Sequence, residues 1–237
     1  MRFRMLPSLR PDLNEHLYLR DPQATELGRR LLAESVRLLD EIGFEAFTFR
    51  KLATALGSTE ASLYRYFENK HRLLTYLVSW HWAWLRFRVR FALHNVADPR
   101  QRLRLALGAV CEASTDDPAT PDFDEAALFR VVMAEASKAY LTKEVDADNQ
   151  AGLFREYKRL VADLVTVVQA VNPAYAHPYA LASTLLESAR KQLFFAQHLP
   201  SLTDGPDQVG AFLEHLAMAA LAAPAACPPA PASSVAG

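Results

Sequence analysis

The sequence predicts an all-α protein in which a small amino-terminal domain is joined by a long helix to a larger helical domain. Apolar residues recur at helical spacing through most of the 237 residues, and no alternating run of β-branched residues is long enough to form a sheet. Prolines and asparagines separate the helical segments from one another. A hydrophobic fraction of 51% with only 8 glycines agrees with a helical chain that buries a sizeable core.

The predicted helices follow one another with short breaks. Asp21 and Pro22 have the pattern of an N-cap followed by proline at the first helical position, and the helix that they begin ends at Gly43. Asn69 can cap a long helix that reaches about Asn95. Further helices are expected over residues 99–115, 122–140, 146–171, 174–199 and 205–222.

Residues 48–70 contain two short helical patterns around one glycine. Thr48 can cap the first helix, which keeps Leu52 and Leu56 inward, and Gly57 supplies the positive φ that ends it. Two helices joined by such a short turn form a helix-turn-helix, whose second helix fits the major groove of DNA. The pattern therefore predicts DNA binding.

The second helix of this motif carries hydroxyl, aromatic and basic side chains in place of an ordinary apolar face. Ser58 or Thr59 can cap it, and Leu63 and Phe67 are its inward positions. The residues that carry a resemblance to a known family are Gly43, Thr48, Arg50, Leu52, Ala53, Gly57, Leu63, Tyr64, Phe67 and Lys70. At these positions the chain resembles the TetR family of bacterial transcriptional regulators. Ser58 departs from that family, which usually has valine or another small apolar residue after the turn glycine.

Carried over by position, the resemblance implies contacts with double-stranded operator DNA. Thr48, Tyr64, Tyr66 and Lys70 match phosphate or groove contacts, and Arg50 is included among the DNA-binding residues. The positions that face base edges are Thr59, Glu60, Ala61, Ser62 and Arg65. The arginine suits a guanine, the glutamate a cytosine amino group and the alanine a thymine methyl group. The alternative for each residue is a solvated helix surface.

An aromatic stripe runs along the long helix that follows Asn69, and its members are Trp80, Trp84, Phe87 and Phe91. The stripe is either the seam that packs the two domains together or, as the resemblance implies, part of the wall of an inducer cavity. Residues on later helices could close the same space: Phe129, Met133, Phe154 and Tyr157. Aromatic walls suit a small, largely apolar effector. A ligand that presses on Trp84 or Phe87 would tilt this helix and change the separation of the two recognition helices in a dimer.

The last two predicted helices, 174–199 and 205–222, carry more apolar positions than one face against the core requires. These positions are Leu181, Leu185, Leu186, Leu193, Phe212, Leu213 and Leu216. Pairing of the two helices with their symmetry mates would make a four-helix interface, and the resemblance also implies a homodimer.

The sequence divides into four segments on this reading. We expect a flexible leader over 1–21, a helix-turn-helix domain over 22–72, an effector-binding and dimerisation domain over 73–222, and a disordered Pro/Ala tail over 223–237. The charge is uneven, because residues 1–104 carry 18 Lys and Arg against 11 Asp and Glu, whereas the remainder carries 8 against 16. The first half therefore suits a polyanionic partner better.

Other chemistry has little support in the residues. No two histidines stand at i, i+3 or i+4, no Cys/His spacing resembles a zinc site, and neither a phosphate loop nor a nucleophile elbow is present, so no metal, cofactor or enzymatic activity is predicted. Cys111 and Cys227 are expected to be reduced thiols in a cytoplasmic protein without a membrane span. The leading prediction is a repressor that a small effector releases from a palindromic operator. The alternatives are an activator, a regulator without a ligand, and a helical enzyme for a small apolar substrate.

Overall fold

The computed structural model describes residues 11–112 and 124–222, and the regular elements within these two ranges are all helices. The amino-terminal helices are α1 (Glu26–Ala46), α2 (Phe49–Leu56), α3 (Glu60–Leu63) and α4 (Lys70–Ala92). The larger part contains α5 (Pro99–Cys111), α6 (Glu125–Glu135), α7 (Ser137–Tyr140), α8 (Val145–Gln150), α9 (Arg155–Val171), α10 (Pro178–His198) and α11 (Val209–Ala222). The predicted all-α fold is confirmed.

Three local signals of the sequence form as predicted in the helix-turn-helix. The hydroxyl of Thr48 accepts a hydrogen bond from the amide of Lys51 at 3.2 Å, which caps α2. Gly57 has φ 62° and ends α2 in the left-handed conformation that favours glycine. Asn69 accepts from the amide of Arg72 at 2.8 Å and caps α4. Each signal acts within three or four residues, so neighbouring sequence was sufficient to predict it.

The start of α1 differs from the prediction. Pro22 begins a short 3-10 helix, Pro22–Ala24, and α1 begins only after Thr25, whose hydroxyl accepts from the amide of Gly28. The chain bends back so tightly here that the backbone of Pro22 lies against Gly28. A Cβ atom at Gly28 would stand only 2.2 Å from the carbonyl oxygen of Pro22, so the position requires glycine. Thr25 is extended, with φ −128° and ψ 153°, and this interrupts the predicted continuous helix.

Two other predicted helices are each divided in the structure. The helix expected over 122–140 forms α6 and the short α7, and the helix expected over 146–171 forms α8 and α9. Gly152 has φ 75° in the turn between α8 and α9, a conformation that breaks a right-handed helix. The turn lies against residue Asn14, whose side-chain amide nitrogen would be 3.0 Å from a Cβ atom at Gly152.

Residues 11–24, which we call the amino-terminal strap, pack on the folded chain. Leu13 and Leu17 are buried, the second with 1% of its surface exposed. The side-chain amide of Asn14 donates to the carbonyl of Ala151 at 2.7 Å, and the amide of Leu19 donates to the carbonyl of Tyr66 at 2.8 Å. The expected flexible leader is therefore wrong for residues 11–21, where two leucines four residues apart reach the core. Residues 1–10 lie outside the described ranges.

Helix α4 is the central element of the fold. It packs against α5, α6, α7 and α9, while α10 packs against α9 and α11. The buried apolar residues form one continuous cluster that runs from the helix-turn-helix into the larger part. The predicted boundary at residues 72 and 73 falls in the first turn of α4, so this helix belongs to both parts. None of the helices in the described ranges is long and apolar enough to cross a membrane. The expected Pro/Ala tail, 223–237, lies outside those ranges.

Candidate functional site

The helix-turn-helix has a tightly buried scaffold. Leu52 on α2 and Leu63 on α3 are fully buried, as are Phe47 and Phe67 on either side of the motif. Together with Leu31 of α1, these residues fix α2 and α3 relative to each other, so the remaining side chains of the two helices are presented outward on a rigid base.

Seven of the ten predicted DNA-binding residues are exposed on this scaffold: Thr48, Arg50, Thr59, Glu60, Ala61, Tyr64 and Arg65. The ring of Tyr64 is 48% exposed and packs on Phe49 with 4.9 Å between ring centroids, which holds the phenol at the surface. Helix α3 is shorter than predicted, because it ends at Leu63 and the chain continues through a turn over residues 64–66.

Ser62, another of the ten predicted DNA-binding residues, is half-buried, and its hydroxyl makes hydrogen bonds within the protein. It donates to the carbonyl of Thr59 at 2.6 Å and lies 2.7 Å from the hydroxyl of Ser58. Because a hydroxyl has a single hydrogen to donate, Ser58 is the donor in the second bond. The serine that departs from the family pattern therefore closes the turn before α3 with a hydrogen bond.

Tyr66 was predicted as a DNA contact, and the structure contradicts this placement. Only 3% of its surface is exposed, and its hydroxyl lies 2.7 Å from the hydroxyl of Thr25 at the start of α1. The guanidinium of Arg20 from the strap covers the ring at 5.6 Å from its centroid. Tyr66 is part of the scaffold, because the turn after α3 directs its side chain inward and not along the face of the helix.

Lys70 was also predicted as a DNA contact, and its ammonium group has a different role. The Nζ atom donates to the carbonyls of Phe44, Glu45 and Phe47 at 2.9, 3.3 and 3.2 Å, which uses all three of its N–H groups. It also lies 4.5 Å from the centroid of the Phe44 ring. A lysine at the carboxyl end of a helix satisfies free carbonyls, so Lys70 fastens the end of α1 to the start of α4.

A cavity of about 290 Å³, which we call the α4 cavity, lies between α4, α7, α8 and α9. Helix α4 contributes Val78 and Trp82, and the opposite wall contains Tyr140 of α7. Two of the eight predicted ligand residues, Phe154 and Tyr157, line it, and Lys158 and Asp146 are among its polar residues.

The other predicted ligand residues lie elsewhere, which is a correction to the aromatic stripe. Trp80 and Trp84 are core residues with 1% exposure each, and Phe129 and Met133 line a void of only about 10 Å³. Phe87 and Phe91 project from the outer face of α4, where their rings stack at 6.2 Å. Successive residues of an α-helix point about 100° apart, so residues two positions apart point in nearly opposite directions. Trp82 therefore faces the cavity, whereas Trp80 and Trp84 face the core.

Trp82 and Tyr140 are cavity residues that sequence reasoning missed. The ring of Tyr157 lies between them, 5.1 Å from Trp82 and 6.4 Å from Tyr140 by centroid, and the two tyrosines are nearly parallel at 13°. No local pattern marks these two residues, because the α4 cavity is formed by helices that lie far apart in the sequence. The neighbours of Trp82 and of Tyr140 along the chain do not show which face of each helix will border the cavity.

A partly buried polar network holds one wall of the cavity. The hydroxyl of Tyr157 donates to Glu187 at 3.0 Å, and Arg190 donates to the other oxygen of Glu187 at 2.6 Å and to the carbonyl of Met133 at 3.0 Å. Burial and the neighbouring Glu187 carboxylate raise the pKa of Tyr157 and of Tyr140 above the ordinary tyrosine value. Both phenols are therefore neutral, and the network fixes the orientation of the Tyr157 ring.

The helices predicted to form a dimer carry fewer free apolar residues than expected. Leu181, Leu185, Leu186, Leu193 and Leu213 are buried within the protomer, which is a correction to their predicted place in an interface. Phe212 and Leu216 of α11 and Tyr179 of α10 are exposed. Phe212 and Leu216 border an open groove of about 690 Å³ along α10 and α11, whose other residues include Ser183 and Lys191.

Two titratable side chains in the described part of the core, His81 and Cys111, are held uncharged. Burial, together with the charge of Arg190, lowers the pKa of His81 to about 3, so this histidine is neutral. Burial raises the pKa of the Cys111 thiol to about 11, which keeps it protonated and poorly nucleophilic. Within residues 11–112 and 124–222, no group of three or more His, Cys, Asp or Glu side chains could hold a metal ion.

Comparison with known proteins finds a family match for the helix-turn-helix region. Residues 31–77 match the family model described as "Bacterial regulatory proteins, tetR family". The chain is 40% identical over 52 residues to an uncharacterised HTH-type transcriptional regulator, YvaF, of Bacillus subtilis (strain 168). This match covers 22% of the chain and spans about a quarter, 27%, of that regulator's length.

Solved structures extend the likeness in fold to the larger part. The structure of AibR in complex with isovaleryl coenzyme A and operator DNA is 20% identical, with a TM-score of 0.56, and the match covers 79% of this chain and 97% of that one. The ketosteroid transcriptional regulator KstR2 of Mycobacterium tuberculosis is also 20% identical, with a TM-score of 0.54 over 81% of this chain and 93% of its own. At this level of identity the likeness concerns the fold alone.

Proposed function

The amino-terminal domain of this chain belongs to the TetR family of bacterial regulatory proteins, and we propose that the protein is a DNA-binding transcriptional regulator. The observation that carries this proposal is the exposed set of polar and aromatic side chains on the buried scaffold of α2 and α3. Rigid presentation of such side chains is what recognition of a duplex requires, because contacts to the phosphates set the register and contacts to base edges select the sequence.

We propose that Thr48, Arg50 and Tyr64 contact phosphates or the groove wall and that Arg65 reads a base. Thr48 and Arg50 lie at the start of α2, and Tyr64 and Arg65 lie just after α3, so they are exposed at both ends of the motif. Thr59, Glu60, Ala61 and Ser62 form the set that faces base edges. Tyr66 and Lys70 are excluded from the contacts, because both are committed to internal hydrogen bonds.

A homodimer is the proposed assembly, with α10 and α11 at its interface. The exposed apolar residues Tyr179, Phe212 and Leu216 project from these two helices. A twofold arrangement would present two recognition helices to a palindromic operator, with half-sites one helical turn or a multiple apart. Light scattering at micromolar concentration tests the assembly, and a species with only the monomer mass would exclude it.

The α4 cavity is the proposed site of a small, largely apolar effector that releases the operator. Its volume of about 290 Å³ and its aromatic wall suit a compact molecule with an apolar body. A repressor results if the effector binds more tightly to the form that does not bind DNA, and an activator results in the opposite case. The structure of AibR holds isovaleryl coenzyme A together with operator DNA, and KstR2 is a ketosteroid transcriptional regulator, which supports a ligand-responsive role for this fold.

Selection from a library of random duplexes with the purified full-length protein tests DNA binding. We expect the recovered duplexes to share an inverted repeat and to be retarded in gels, with an affinity that falls steeply as salt increases. Arg65→Ala should lose this enrichment. The matched control is Arg90→Ala, which removes an exposed arginine at the carboxyl end of α4 and should keep it. Failure of the wild type to enrich any sequence would contradict the proposal.

Binding of an apolar fluorescent molecule tests the cavity. N-phenyl-1-naphthylamine should gain fluorescence with the wild type and lose it with Val145→Trp, because the larger side chain occupies the cavity that Val145 lines. Val171→Trp is the matched control, since Val171 is also a half-buried valine but does not line the cavity. Equal binding by both variants would place the probe outside the α4 cavity.

A further inference from the structure

Helix α8 borders the α4 cavity on one side and the start of α4 on another. Val145, Asp146 and Asn149 line the cavity, whereas Asp148 lies on a different face of the same short helix. Lys158, also at the cavity, donates to the side-chain carbonyl of Asn149. A ligand that enters the cavity therefore contacts α8 directly.

Asp148 joins α8 to the first turn of α4. Its side chain is 5% exposed, and its Oδ1 atom accepts from Nη1 of Arg72 at 2.9 Å. Its Oδ2 atom lies 3.7 Å from Nε2 of His71. A buried carboxylate that leaves its guanidinium partner loses the charge that compensates its desolvation, so displacement of α8 is transmitted to Arg72. Arg72 follows Lys70, which is bonded to the end of α1.

The amino-terminal strap makes a second connection from the same place. Asn14 donates to the carbonyl of Ala151, in the turn after α8, and Arg155 at the start of α9 donates to the carbonyl of Asp12 at 2.8 Å. At its other end the strap donates from Leu19 to the carbonyl of Tyr66, in the turn after α3. The strap thus runs from the border of the cavity to the end of the proposed recognition helix.

The DNA-binding domain is held at another point by α6. The amide of Phe44 donates to Glu135 at 3.0 Å, and Arg130 pairs with Asp40 of α1. Neither Glu135 nor Arg130 lines the α4 cavity. This contact can therefore stay fixed as a pivot while the connection through α8 moves.

We infer that α8, with its turn into α9, couples occupancy of the α4 cavity to the orientation of the DNA-binding domain, mainly through the Asp148–Arg72 ion pair and secondarily through the strap. This inference rests on the proposed function, because it names how the proposed effector site is regulated. It also replaces the expected route through Trp84 and Phe87, neither of which lines the cavity. The coupling requires a difference in ligand affinity between the two orientations of the domain.

A double-mutant cycle tests the ion pair without an identified effector. Val145→Trp fills the cavity from α8 and stands in for a bound ligand. We expect it to lower affinity for the selected duplex by about fivefold or more in the wild-type background. In the Asp148→Asn background, we expect the same substitution to change affinity by less than about twofold.

Asp163→Asn provides the matched control background. Asp163 of α9 pairs with Arg86 of α4 at 2.7 Å, so it also joins α4 to the larger part, but without α8 and without lining the cavity. The effect of Val145→Trp should persist in this background. A loss of affinity of the same size in the Asp148→Asn and Asp163→Asn backgrounds would overturn the inference. So would the absence of any effect of Val145→Trp on a folded protein.

Hydrogen exchange separates this inference from the proposed function, because it needs no DNA. N-phenyl-1-naphthylamine should alter exchange of amides in residues 60–72 of the wild type and alter it clearly less in Asp148→Asn, where only the strap connects the cavity to these residues. If this result is obtained but no duplex is selected, the coupling holds and the DNA-binding proposal fails. If the duplex binds but exchange responds equally in both proteins, the inference alone fails. The exchange measurement also decides the matter if Val145→Trp does not fold.

Discussion

The two halves of α4 have different surroundings. From Leu73 to Leu85 every side chain except Ala83 is buried, whereas from Arg86 to Ala92 only Val89 is buried. Helix α4 as a whole contacts the strap, α5, α6, α7 and α9, and its second half leaves more of its side chains exposed to solvent. The first half, which begins with Lys70 and contains Arg72, is therefore the part of α4 that borders both the α4 cavity and the DNA-binding domain.

The largest expected difference between the halves is in stability. Trp84→Ala removes a fully buried indole and should lower the free energy of unfolding by about 3–5 kcal/mol. Phe91→Ala, at a position 75% exposed, should change it by less than about 0.5 kcal/mol. Urea unfolding followed by circular dichroism measures both. Similar losses for the two variants would mean that the second half is covered in solution, for example by another copy of the chain.

Lys70 tests the amino-terminal end of the buried half. Lys70→Ala leaves three carbonyls of the α1 end without their charged donor and should cost about 1.5–3 kcal/mol. Lys51→Ala is the control, because Lys51 donates to a single exposed carbonyl, that of Ala46, and its loss should cost clearly less. If Lys70→Ala leaves unfolding unchanged and weakens DNA binding, Lys70 is a DNA contact after all.

His81 gives the buried half a dependence on pH. Its pKa is lowered to about 3 in the folded state, so between pH 3 and the ordinary value of 6.5 only the unfolded chain binds this proton. Stability should therefore fall as the pH drops, with a contribution of about 2 kcal/mol between pH 7.5 and 5. His81→Gln should remove this part of the pH dependence. His94→Gln, at an exposed position just beyond α4, should not.

Arg65 lies just before α4 and should have the smallest effect on folding. Arg65→Ala should cost about 1–3 kcal/mol of discrimination at one base pair of the selected duplex, with unfolding unchanged, because the side chain is exposed. Competition binding with single-base variants of the duplex measures this loss. A uniform loss over all variants would assign Arg65 to a phosphate.

The sequence predicted the helix-turn-helix well because its determinants are local. Thr48, Gly57 and Asn69 act on amides and carbonyls within a few residues, so each can be read from its neighbours. The cavity could not be predicted in this way. Trp82 and Tyr140 line the same cavity although they are 58 positions apart in the sequence, and Tyr157, which lies between them, follows the turn where Gly152 divides one predicted helix into two.

The same contrast explains the residues that were placed wrongly. Tyr66 and Lys70 occupy motif positions, but a motif position does not say whether a side chain points outward or back to the scaffold. The hydroxyl of Tyr66 and the ammonium group of Lys70 point inward because they bond to Thr25 and to the carbonyl of Phe44. These partners lie 41 and 26 residues earlier in the chain. Only the folded structure brings these partners together.

The strap has a practical consequence for anyone who expresses this protein in pieces. The family match begins at residue 31, and a gene trimmed to begin there would encode a chain without Leu13, Leu17 or the tight bend at Pro22. The trimmed chain would also lose the ring contact of Tyr18 with Tyr76 and the hydrogen bond from Asn14 to the carbonyl of Ala151. Apolar surface that the strap covers would be exposed, and the product would be prone to aggregate. Purification tags therefore belong ahead of residue 11, with the strap retained.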